Sequence, residues 1–176
     1  YGAFFCARFS IFARMNYRRL HREELEAIKD EFIRFLASNS VTADDWVRLK
    51  QADPAAAESL VDVFSDIFWE KALTKIPAVE VRSKNMLRIL RFNDDMAELV
   101  EIRLPEDVNI DLTNTKDLNA LSSGEIDILT LNPSLFVGTQ KYQNGRNQEL
   151  FAMIESGAQP CKESMFMALK AMVKNQ

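Results

Sequence analysis

Two stretches of helical hydrophobic periodicity, separated by an Asp-Pro pair, constrain this chain more than any other feature. Leu25, Ile28, Phe32, Phe35 and Leu36 fall at helical spacing, and Ala57, Leu60, Val61, Phe64, Ile67 and Phe68 repeat the pattern after Asp53-Pro54. Each stretch buries one face, so the region from Leu20 to Lys75 is expected to form packed amphipathic helices. The first helix is entered at His21, with Glu24 where the acid of a capping box belongs, and ends near Ser38 to Ser40. A second starts at Thr42, followed by Asp45. The third and longest runs from about Pro54 to Thr74, with Asp53 as N-cap and Pro77 as its stop.

From Ala78 the period changes to alternation. Val79 and Val81, the run MLRILRF, and Val100, Ile102 and Leu104 predict three strands, and Asn93-Asp94-Asp95 marks a hairpin between the second and third. Asp107 to Thr113 is read as a fourth strand and Ile126 to Leu131 as a fifth. The segment NPSLFVGTQKYQNGRNQE reads as a loop. Helices follow over Asn147 to Ser156 and, opened by Pro160, over Cys161 to Lys174. The expected fold is therefore α+β: three N-terminal helices, a mostly antiparallel sheet of four to five strands, and two C-terminal helices.

The length of 176 residues fits one domain with a single core, assigned to 15–176. Residues 1–14 are acid-free and Phe-rich. They are read as a disordered upstream extension, with Met15 as the natural start, because Arg8 interrupts the apolar run that a targeting signal needs. No apolar run approaches the roughly 20 residues that span a bilayer, so no membrane partner is expected. A net charge of −4 repels phosphate backbones and argues against nucleic acid. Cys6 and Cys161 lie near opposite ends and make neither a disulfide framework nor a metal pair, which points to a reducing cytoplasm.

Chemistry-bearing groups are sparse. His21 is the single histidine, so a triad, a Cys/His dyad or a histidine metal site would have to use it, and it stands at a helix start. Glu58, Asp62, Asp66 and Glu70 stack along one face of the third helix. A di-metal site would also need a Glu-x-x-His pair, which the chain lacks, so no metal or other cofactor is expected. The row reads as a solvated face or as a landing strip for a basic partner. Lys141 and Arg146, in the polar segment, are the other candidate partner contacts, and phosphate-loop and dinucleotide spacings are absent.

The segments NYRRLHREELEAIKDEFIRFLASNSVTADDW, VDVFSDIFWEKAL and NPSLFVGTQKY together resemble a family of short uncharacterised bacterial proteins classed as a domain of unknown function, from Met15 to the C-terminus. The resemblance implies no activity and carries over no catalytic residue. His21 stands where that family is expected to have Thr. Two readings remain open: a cytoplasmic protein-protein interaction module without catalytic activity, or a small enzyme or ligand-binding domain with a site near His21, Asp66, Tyr142 and Arg146. A deep pocket with convergent polar groups would favour the second, and an exposed apolar or acidic patch the first. The oligomeric state is left open.

Overall fold

The computed structural model describes residues 16–174. The extension assigned to 1–14 lies outside the described residues. Contacts divide the chain into two compact units, with the division between Lys71 and Ala72. Among the described residues, one cluster of buried side chains lies within the helical unit and another between the strands and the last helix of the second unit.

The N-terminal unit is helical: α1 (Arg22–Ala27), α2 (Lys29–Ser38), α3 (Ala43–Ala52) and most of α4 (Pro54–Thr74). Among the described residues there are four N-terminal helices where the pattern predicts three. The first predicted helix is interrupted at Ile28, whose φ of −119° and ψ of 27° leave the helical region. Neither Gly nor Pro causes the break. Leu25, Ile28, Phe32 and Leu36 all pack against one cluster, and the bend lets two short helices do so. The other entrances follow the local chemistry. Thr42 Oγ1 accepts from Asp45 N at 3.2 Å while the Asp45 carboxylate accepts from Thr42 N at 3.2 Å, and Asp53 Oδ1 accepts from Ala56 N at 3.0 Å ahead of Pro54. The core is aromatic: Phe32 lies 5.0 Å from Phe64 and meets Trp46 edge-on at 5.4 Å. Ile67, part of the predicted stripe, is exposed.

The C-terminal unit is a five-stranded sheet in the order β4-β3-β2-β1-β5, every neighbouring pair antiparallel. The strands are β1 (Ala78–Ser83), β2 (Met86–Phe92), β3 (Met96–Arg103), β4 (Ser134–Lys141) and β5 (Gln159–Cys161). Hairpins turning at Lys84-Asn85 and at Asn93–Asp95 join the first three. Helices α5 (Thr115–Ser122), α6 (Arg146–Glu155) and α7 (Glu163–Lys174) complete the unit. On one face Ala78, Ile89, Val100 and Ile102 bury against Phe166 and Leu169 of α7. On the other, Leu90, Phe92, Ala97 and Leu99 share a cleft with Ala152 and Met153 of α6.

Four assignments need correction. Asp107 to Thr113 is irregular, because Asp111 turns its side chain onto Thr113 N at 2.8 Å and Oγ1 at 2.6 Å, a local turn that competes with a ladder. Ile126 to Leu131 holds a 3-10 turn, Ile128–Leu131, started by Asp127 on Leu129 N at 3.0 Å and stopped by Asn132 at φ 51°. The segment read as a loop contains β4. Pro160 lies in β5 rather than opening a helix, on an edge strand where its missing N–H costs least. No helix among the described residues is long and apolar enough to cross a membrane.

Candidate functional site

The acidic row of α4 faces the chain's own segment 16–20. Asp62 accepts from both Nε and Nη2 of Arg19, the latter at 2.9 Å, and Glu58 lies 3.7 Å from the same guanidinium. Asp66 accepts from the backbone N–H of Asn16 at 3.2 Å and of Tyr17 at 3.1 Å. The Tyr17 hydroxyl donates to Glu70. Burial, then this carboxylate, pushes that phenol well above its usual range. Between these contacts the buried Ser65 hydroxyl accepts from Leu20 N at 3.1 Å, and Trp69 Nε1 donates to Arg18 O at 3.2 Å. Four like charges stacked on one helix repel one another. Here a cation and main-chain N–H groups interleave with them, so the row works as a rail that holds the segment leading into α1.

His21 is exposed and caps α1, its backbone N–H donating to Glu24 at 2.7 Å. Arg18 forks onto the same carboxylate at 2.7 and 2.8 Å, which is the main reason its pKa falls to about 2. No group of three or more His, Cys, Asp or Glu among the described residues could hold a metal ion.

Of the polar segment, Tyr142 and Arg146 are committed to main chain. The Tyr142 ring stacks on Phe92 at 5.9 Å, and its hydroxyl donates to Asn93 O at 2.8 Å; burial pushes it up to about 12. Arg146, at the first turn of α6, donates to Leu73 O at 3.1 Å, Ile76 O at 2.7 Å and Phe92 O at 3.4 Å. It thus caps the end of α4, where the helix dipole favours a cation. Lys141 is exposed at the end of β4.

β4 is the outermost strand of the sheet among the described residues. Hydrogen bonds from Leu104 N to Asn85 O (2.8 Å) and from Asn93 N to Met96 O (3.1 Å) set the parity of the ladder. Even-numbered residues of β3 bond to β2, so its odd-numbered residues bond to β4 through their partners Ser134, Phe136, Gly138 and Gln140. The N–H and C=O groups of Leu135, Val137, Thr139 and Lys141 therefore point outward, where the sheet of the described residues ends. Val137 is 58% exposed and Phe136 is 49% exposed. Arg103 stands over the Phe136 ring from β3 at 5.8 Å. The opposite edge is blunted, since β5 is three residues long and contains Pro160. Sequence reasoning missed β4, although Leu135, Phe136 and Val137 form a β-prone run between the turn pairs Asn132-Pro133 and Asn144-Gly145. The polar residues after Gly138 concealed it.

A second concavity, of about 420 Å³, lies between the sheet and helices α5 and α7, bounded by Leu87, Ile102, Leu112, Leu118, Ile128 and Met165. Its one charged lining residue, Arg82, is forked onto Glu80 with both contacts at 2.9 Å. The remaining lining is mainly apolar, with Asn119 and Ser122 as its uncharged polar residues.

No curated protein and no solved structure matches the chain. One family model does, described as a family of unknown function (DUF6495), over residues 15–174.

Proposed function

The chain belongs to that family of unknown function, and from this premise we propose that it is a protein-protein interaction module that receives another polypeptide by strand addition at β4. One observation carries the reading. An eight-residue edge strand offers an outward row of backbone donors and acceptors beside two exposed apolar side chains, Phe136 and Val137. Such an edge is a template for one more strand: the main chain supplies affinity, and alternate side chains supply specificity. The acidic row takes part in an intrachain role instead, and Lys141 stands at the end of the new edge. The cavity between the sheet and helices α5 and α7 is lined mainly by apolar side chains, with Arg82, Asn119 and Ser122 its polar residues. Two cysteines placed near opposite ends of the chain support a cytoplasmic setting.

A photo-crosslinking amino acid at Val137, introduced in the host cell, tests this. An adduct with a second polypeptide is expected there and not at Ile33 on α2, which is equally exposed at 59%. Absence of any adduct at Val137 would sink the reading.

A further inference from the structure

We infer that the strand added to β4 is β4 of a second copy, paired antiparallel about a two-fold axis at Val137; this rests on the strand-addition reading and names its partner. The outward parity makes Val137 face Val137 of the second copy as a pair that exchanges both backbone bonds, and Leu135 face Thr139 in the same way. Lys141 then lies opposite Pro133, so no like charges meet. On the other side of the ribbon, Phe136 of each copy stands directly across from Gly138 of its mate.

Gly138 gives this register its second support. Its φ lies outside the left-handed range, and a Cβ there would meet only Leu99, at 3.9 and 4.0 Å, in ordinary van der Waals contact. The protomer does not need glycine at this position, and glycine in a strand interior weakens it. An aromatic ring lying across a strand glycine covers the bare backbone, and Phe136 of the second copy is placed to do so. The alternative nearly full-length register, centred on Gly138, sets two glycines against each other and both rings against Gln140. Self-pairing about Val137 thus explains the exposed valine, the half-exposed ring and the optional glycine together.

Pairing of residues 133–141 on each side forms an interface at the small end of specific ones, so dissociation on the order of 10 μM is expected. Sedimentation of the full chain should show a mass that rises from near the monomer at about 1 μM towards the dimer at about 100 μM. Val137→Pro removes an outward donor and no bond to β3, and Gly138→Val fills the space of the incoming ring. Each should raise the dissociation constant at least about tenfold, with circular dichroism unchanged. With Cys6→Ser and Cys161→Ser in place, the pair Phe136→Cys and Gly138→Cys should oxidise to a covalent dimer, since these positions face one another at close strand spacing. A monomer at every concentration, or a dimer indifferent to both Val137→Pro and Gly138→Val, would overturn self-pairing. A Val137 adduct with a different protein, beside a monomer in solution, would sink the second copy and leave strand addition standing. No adduct of any kind would sink both.

Discussion

At Arg146 a single guanidinium reaches the carbonyls of Leu73, Ile76 and Phe92, tying the end of α4 to the end of β2. In the sequence Arg146 reads as a partner contact because it stands in a polar segment. Its planar fork serves the main chain instead. Arg146→Met should destabilise the fold by about 1–3 kcal/mol in urea denaturation, and Arg146→Lys should recover little, because an ammonium does not span divergent carbonyls. Glu98 makes a second test at this scale. Lys170 and Arg91, with Asn93, hydrogen-bond its carboxylate and lower its pKa from 4.5 to about 2. A folded pKa below the unfolded one adds stability that is fully present above about 4.5 and is lost as pH falls towards 2. Glu98→Gln should therefore flatten the decline of stability across that window, measured by denaturant midpoints at successive pH values.

Among the elements, those specified by local chemistry were legible. The Thr42 and Asp53 caps, the β1–β2–β3 alternation and the Asn93–Asp95 turn are all properties of neighbouring residues. Thr42→Ala should cost about 0.5–2 kcal/mol, read by thermal melting, because the Asp45 amide loses its acceptor. The split at Ile28 and the strand at Ser134–Lys141 were not legible. One is imposed by the aromatic cluster and the other by a partner, β3, far back in the chain. Hydrogen exchange can read the parity of β4 directly. At concentrations below dimerisation, the amides of Phe136 and Gly138 should be protected while those of Leu135, Val137 and Thr139 exchange quickly. At high concentration the second set should slow as well. A uniform rate along the strand would contradict the parity derived from the ladder.

At the scale of the whole molecule, each unit has a buried cluster of its own among the described residues. Phe166 is fully buried where α7 meets the sheet, and Phe32 is buried in the aromatic cluster of the helical unit. Phe166→Ala should cost about 3–5 kcal/mol, followed by circular dichroism in urea. Composition and spacing alone determined the α+β class, the helix entrances at His21, Thr42 and Asp53, and the first three strands. These depend on residues a few positions apart, so periodicity and caps report them. Only tertiary structure decided that the carboxylates of α4 hold the chain's own segment 16–20, that Arg146 serves main-chain carbonyls, and that β4 is the last strand of the sheet among the described residues. Each of these joins groups tens of residues apart, as Arg19 and Asp62 are, and no local pattern encodes which distant partner will satisfy a charge or a backbone bond.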